Sequence, residues 1–443
     1  MTEKGSVDYT EMWERLGLDL KVHQELMDAL GQLYPAMYLR QDNRPAAMDY
    51  FDEWVSDVHG FRPKELLEHK DRGGKVVGCY CVFVPLELIR AADAIPLVLC
   101  GGADFSVSYA ETLLPANICP LIKSSVGFKL GRLCPYIQST DFLVGETTCD
   151  AKKKAWEIFG EVHPFYVMDL PQKKSPKGRE LWKEEIRLFW KHLEEVSGNT
   201  ITPAKLKDNI RLMNEKRRIL QRLHATRRAN PVPISGKDAL LVNQIALFDD
   251  IRRFNGVASR LAEELEQRVE RGAGIAPANA PRILIAGSPM VIPNWKLHHL
   301  IESSGAVVVI EEACVGTRFY ETLVAEDGDS PEALLDALAD RYLQINCACF
   351  TPNNERTEDI LRLAREYRVD GVVLYSLMFC QPFAVEHRKI EKALRDEGIP
   401  VLQVETDYSQ GDALQLLTRI EAFLEEIEAV GAPEARVEGP HDL

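Results

Sequence analysis

The chain carries 10 cysteines among 443 residues, and their placement is the first feature that could do chemistry. Cys119 and Cys134 are each followed by proline, and Cys134 and Cys149 follow at equal steps of 15 residues. A residue before proline is pushed toward extended backbone, which lets its thiol project from a loop. Cys149 precedes Asp150 and a helical pattern, so Asp150 can cap that helix. The helix N-terminus would then lower the Cys149 thiol pKa and favour the thiolate a metal requires. Farther along lie Cys314, the pair Cys347 and Cys349 in NCACF, and Cys380. Structural zinc favours close pairs such as C-x2-C, and the sequence has none. Thiolates distant in sequence but gathered at a cleft suit an iron–sulfur cluster. Ordinary core burial competes with this reading for every cysteine, and is the preferred one for Cys79 and Cys81 in the C-Y-C of a strand.

Charge and length narrow what could position these thiols. With 53 Lys plus Arg against 68 Asp plus Glu, the net charge is −15, which repels nucleic acid and anionic membranes over most of the surface. The first residues, MTEKGSVDYTEMWERL, lack the basic and apolar regions of a secretory signal, and no apolar run is long enough to span a bilayer. We therefore expect a cytoplasmic protein that binds neither nucleic acid nor membrane, with reduced thiols rather than disulfides.

The elements follow from hydrophobic periodicity. Residues 1–70 read as a helical N-terminal segment. Residues 71–171 read as a first α/β domain, with strands in KVVGCYCVFVP (75–85), AIPLVLCGG (94–102), DFLVGETTCD (141–150) and FYVMDLP (165–171). Residues 172–280 read as a charged helical connector. Residues 281–430 read as a second α/β domain, with strands starting near 281, 306, 369 and 400, and residues 431–443 as a mobile tail. Strands alternating with helices predict two Rossmann-like (flavodoxin-like) parallel sheets facing a shared cleft. Cys100, Cys149, Cys314 and Cys380 each fall at or just past a predicted strand end, where open α/β sheets bind ligands.

LPANICPLIKSSVGF, the later Cys-Pro, GETTCDAKKKAWE, VMDLP, EEACVGTR and VETDYSQGD, in that order over about residues 45–425, resemble the superfamily of 2-hydroxyacyl-CoA dehydratase components and benzoyl-CoA reductase subunits. The variant is most similar to its double-cubane cluster branch. The resemblance implies a [4Fe–4S] cluster on Cys119, Cys149 and Cys380. In the double-cubane branch it implies an [8Fe–9S] cluster that adds Cys134, Cys314 and Cys349, with Cys347 as the alternative to Cys349. It further implies a homodimer, anaerobic chemistry, and a separate ATP-hydrolysing iron–sulfur activator supplying low-potential electrons for reduction of small molecules. The competing readings are a 2-hydroxyacyl-CoA dehydratase subunit with one [4Fe–4S] cluster, a lyase component, and a non-catalytic electron-storage protein.

No G-x-x-x-x-G-K-[ST] loop is present, so any ATP must be bound by the partner. Glu146, Glu311, Glu312, Glu405 and Asp407 lie near strand ends, and Glu146, Glu311 and Glu405 are the candidates for proton transfer. The basic run Lys216–Arg228 reads as a solvated helix face, with docking of an acidic partner as the alternative. The 10 histidines, His163 and His387 among them, read as packing or surface residues.

Overall fold

The apolar, β-branched runs form eight strands in two sheets. The computed structural model describes residues 7–99 and 101–431. Strands β1 (Val76–Tyr80), β2 (Ile95–Leu99), β3 (Phe142–Glu146) and β4 (Phe165–Met168) pair in the order β2-β1-β3-β4. Strands β5 (Arg282–Gly287), β6 (Val307–Glu312), β7 (Gly371–Leu377) and β8 (Val401–Thr406) pair in the order β6-β5-β7-β8. Every pairing is parallel. The two sheets thus share one topology, the expected α/β architecture used twice. Central strands β1, β3, β5 and β7 are buried along their whole length, as helices on both faces of a parallel sheet require.

The first strand is shorter than its apolar run. It ends at Tyr80, and Cys81 takes a left-handed φ of 79°, turning the chain before Phe83. The N-terminal segment supplies the helices Leu20–Tyr34, Asp49–Ser56 and Phe61–Asp71. The closing helix runs Ala413–Gly431, so the expected mobile tail beyond it lies outside the described residues, as does Cys100.

The basic run is solvated only in part: Arg218, Arg222 and Arg228 are exposed. It closes the helix Pro203–Thr226, and Lys216, Arg217 and Arg227 are buried. Arg217 pairs with Glu87, in the helix between β1 and β2, at 2.7 Å. Arg227, just past the helix end, grips Glu311 of β6 with two bonds of 2.8 Å. One helix therefore carries two buried ion pairs, one to each α/β unit. Removing either partner alone would strand a charge in the interior, at a cost of about 3–5 kcal/mol.

Candidate thiol-lined functional site

Four cysteines occupy helix N-cap positions: Cys119 before Pro120–Leu130, Cys134 before Pro135–Ser139, Cys149 before Asp150–Phe159 and Cys380 before Gln381–Asp396. The Cys-Pro steps explain two of them. Proline suits the first helical position because its missing N–H would have no partner there, and it holds the preceding cysteine extended. Cys119 and Cys134 adopt ψ of 128° and 120° accordingly. Asp150 is the first residue of its helix, so Cys149 itself is the cap rather than its predecessor.

Seven thiols line up along the cleft between the two sheets. Cys119 faces Cys380, and both Cys380 and Cys347 act on Cys149. Cys347 faces Cys349 and lies near Cys314, which in turn faces Cys81. Cys81 follows β1 and Cys149 follows β3, on the two sides of the crevice where the first sheet's strand order reverses, the usual ligand position in such sheets. Cys314 and Cys380 follow β6 and β7 of the second sheet. Phe83 packs edge-on against Phe350 with ring centroids 5.8 Å apart, fixing the Cys81 turn to the Cys349 loop.

The thiols form two groups with different electrostatics. In the first, Cys119, Cys149 and Cys380 sit on helix N-termini. The facing Cys380 thiol lowers the Cys119 pKa, aided by the N–H groups of Leu121 and Ile122. Cys380 is correspondingly held protonated by Cys119 and by burial, while the Ser288 hydroxyl pulls the other way. Cys149 is pushed up by burial despite the N–H of Lys152, so the helix N-terminus does not win there. In the second group, Cys314 is drawn down to about 6, first by the facing Cys81 thiol and then by Arg318. The Arg318 guanidinium donates to Cys314 Sγ at 3.5 Å. Glu312 clamps Arg318 with bonds of 2.5 and 2.9 Å, and Arg356 binds the same carboxylate at 2.9 Å. Cys347 is lowered by the facing Cys349, and Cys349 is raised. Each facing pair thus contains one thiol that ionises readily beside one that does not.

Cys134 is not brought to this string. It lines an apolar cavity with Trp54, Tyr136 and Phe248, and burial raises its pKa to about 11. Cys81, expected as core, is buried in the core and also faces Cys314. The apolar sequence CVFV disguised the end of β1, and with the strand ending at Tyr80 the strand-end pattern seen at Cys149, Cys314 and Cys380 picks out Cys81 as well. Cys79 remains a core residue, fully buried within β1. Both Cys347 and Cys349 face the cleft thiols rather than only one.

The acidic candidates separate equally clearly. Glu146 is fully buried beside Cys81 and Cys349, with Oε1 3.4 Å from Lys152 Nζ and Oε2 without a hydrogen-bond partner. Glu311 is buried too, but burial's upward push is outweighed by Arg227 and His298, which hold its carboxyl far below the usual range. Its carboxylate is taken up by Arg227 and His298. Glu405 is exposed on β8, the sheet edge.

Among the described residues, no three His, Cys, Asp or Glu side chains converge tightly enough for a single metal ion. The donor set is instead several soft thiols strung along a buried cleft, chemistry that fits iron–sulfur ligation. Close packing shapes the walls. Gly101 presses on Ser124 and Ser125, and Gly102 on the Val291 carbonyl, leaving neither room for a Cβ. Among the described residues no helix is long and apolar enough to cross a membrane.

The family model for the D-component of 2-hydroxyglutaryl-CoA dehydratase matches residues 81–427. The putative dehydratase subunit YjiM of Escherichia coli K12 is 40% identical over 86% of this chain and 98% of its own. The (R)-phenyllactyl-CoA dehydratase beta subunit of Clostridium sporogenes is 24% identical over 85% and 98%, and a benzoyl-CoA reductase subunit of Thauera aromatica 22% over 81% and 92%. The matched span opens on Cys81 and takes in both thiol groups, and the chain belongs to the 2-hydroxyglutaryl-CoA dehydratase D-component family, an enzyme family of dehydratase and reductase subunits.

Proposed function

We propose that the chain is a low-potential reductase of small molecules, supplied with electrons by a separate ATP-hydrolysing iron–sulfur activator, and that its two thiol groups hold the two halves of a double-cubane [8Fe–9S] cluster. The observation that carries this reading is the count and grouping of cleft thiols: Cys119, Cys149 and Cys380 in one group, Cys81, Cys314, Cys347 and Cys349 in the other. A single cubane would use only the first group. This candidate set replaces Cys134 with Cys81 and keeps both Cys347 and Cys349. The cluster, when bound, supplies one-electron chemistry at low potential.

The chain's own residues do the rest. Helix N-termini and Arg318 place positive potential against thiolate sulfur. Glu312 and Arg356 hold Arg318 in place. Glu146 and Lys152 are the pair positioned to hold a proton near the thiols, as a reduction requires.

A dehydratase subunit with one [4Fe–4S] cluster is the second reading, favoured by the relatives being subunits of dehydratases. A non-catalytic electron-storage role is the third. Anaerobic iron and sulfide analysis separates the first two: the double-cubane reading expects about eight iron per chain and the single-cubane reading about four. Cys81→Ala should lose about half the iron and Cys134→Ala almost none. Full iron retention in Cys81→Ala, or half-loss in Cys134→Ala, overturns the proposed ligand set. Turnover of a small unsaturated substrate with activator and ATP excludes mere storage, and sedimentation tests whether the loaded chain is a homodimer.

A further inference from the structure

A cavity of about 370 Å³ lies outside both thiol groups, with Cys134 in its lining. Leu26, Leu30 and Leu33 of the helix Leu20–Tyr34 form one wall, and Trp54, Tyr136 and Phe248 form another. The loop after β5 closes it from the second sheet, so both α/β units contribute. At that end stands Asn294, which is 8% exposed. Its amide donates to the Tyr375 hydroxyl at 3.1 Å, and Tyr375 faces Cys119 and Cys380. The second Nδ2 hydrogen and the Oδ1 of this amide make no hydrogen bond among the described residues. A ligand carbonyl can accept from that N–H, or a ligand hydroxyl donate to that oxygen, so the amide is a place for a ligand's polar group.

The charges say what that ligand is not. Lys296 is the one lysine or arginine in the described lining, and its ammonium is saturated. It donates to Thr406 Oγ1, the Asp407 and Ser409 carbonyls and the Asp412 carboxylate, at 2.7–2.9 Å. His59 is kept neutral by burial and pairs with His23 at 2.9 Å. Asp104 is exposed at the rim, where water screens it. Nothing in the lining is free to neutralise an anion, and burying an unpaired carboxylate among these side chains would be strongly unfavourable.

We infer that this cavity binds an uncharged, largely apolar small molecule whose single carbonyl or hydroxyl group hydrogen-bonds Asn294, one residue away from the Tyr375 that faces the first thiol group. Its standing as the reductase's substrate rests on the proposed function; its binding does not.

The test is calorimetric titration of the anaerobically purified full-length chain with acetophenone, its charged analogue benzoate, and ethylbenzene, which lacks the polar group. Acetophenone should bind at one site per chain, at least about tenfold tighter than benzoate. Leu30→Trp, which fills the cavity from a half-buried position, should abolish binding of acetophenone and ethylbenzene alike. Asn294→Leu should weaken acetophenone about five- to tenfold and leave ethylbenzene unchanged. No binding of acetophenone, benzoate binding as tightly, or acetophenone binding untouched by Leu30→Trp would each overturn the inference. Iron measured on the same samples keeps the two claims apart. Iron-free chain that binds acetophenone sinks the cluster reading and leaves the cavity; iron-replete chain that binds none does the reverse.

Discussion

The two thiol groups solve the same electrostatic problem by different means. The first relies mainly on backbone: Cys119, Cys149 and Cys380 cap three helices, and its side-chain support is the Ser288 hydroxyl at Cys380 and the Lys152 ammonium near Cys149. The second uses a side chain: Arg318, buried to 6% exposure, delivers a full positive charge to Cys314 and is held by Glu312 and Arg356. Backbone partial charge is distributed and cannot be deleted by one substitution, whereas a buried guanidinium is a single point of failure. The groups should therefore differ sharply in how mutation affects them.

The largest effect is expected at Arg318. Arg318→Leu leaves Glu312 with Arg356 alone and removes the donor to Cys314. Chemical denaturation should show a loss of about 3–5 kcal/mol, the usual result of removing one partner from a buried ion pair. Iron should fall by about half, with the first group's share retained. Loss of all iron, with the fold intact by circular dichroism, would show that the groups do not load independently.

Next in size is Gly287→Ala, aimed at the first group. Gly287 ends β5 with φ 151°, and its Cα lies against the Tyr375 carbonyl with no room for a Cβ. Both strain and overpacking act, so we expect about 2–4 kcal/mol of destabilisation. The disturbance reaches Tyr375 and Ser288, both facing Cys119 or Cys380, so iron loss should now fall on the first group. A destabilisation below about 0.5 kcal/mol would mean that the backbone there yields.

Acid should weaken the N-terminal helical region before the region around Arg318. His23 of the helix Leu20–Tyr34 binds His59, and burial lowers the His23 pKa to about 4 and holds that of His59 well below its ordinary value. Both are neutral when folded, and in the unfolded chain they take up protons near pH 6.5. The unfolded state then binds more protons, so stability is present above pH 6.5 and is lost as pH falls from there toward 4. Between pH 7 and 5 the His23 contribution alone amounts to about 1–2 kcal/mol. Melting curves at pH 7, 6 and 5 should show this decline, and His23→Phe with His59→Phe should flatten it.

The fold was legible because each strand is a short apolar run bounded by turn residues; β3, β5 and β7 lie within the runs 141–150, 281–290 and 369–380. The cleft was legible because parallel sheets bring their strand ends, and hence Cys149, Cys314 and Cys380, to one side. What the sequence hid was conformational. The turn at Cys81 lies inside an uninterrupted apolar stretch, and no residue type announces its positive φ. Cys134 carries the same Cys-Pro signature as Cys119, yet its helix is five residues long and points its cap into the cavity. The buried roles of Arg217 and Arg227 were masked because their partners, Glu87 and Glu311, lie far away along the chain.

The smallest effect is the sharpest test of the contrast between the groups. Ser288 is fully buried; its Oγ accepts from the Leu377 N–H at 3.2 Å, and its hydroxyl is directed at Cys380. Ser288→Ala leaves the Leu377 N–H unpaired and should cost about 1 kcal/mol, well under the Arg318 effect. Its electronic consequence is more specific. A hydrogen bond to ligand sulfur stabilises the more negative, reduced state, so removing it should move the first group's reduction potential downward. Potentiometric titration followed by EPR should show one signal shifting negative and the other unmoved. Arg318→Lys, which keeps a positive charge but loses the fork that grips Glu312, should move the other signal instead. If Ser288→Ala displaces both signals equally, the two groups act as one electronic unit, and the division between backbone-held and guanidinium-held thiols describes how the protein is built but not how it stores electrons.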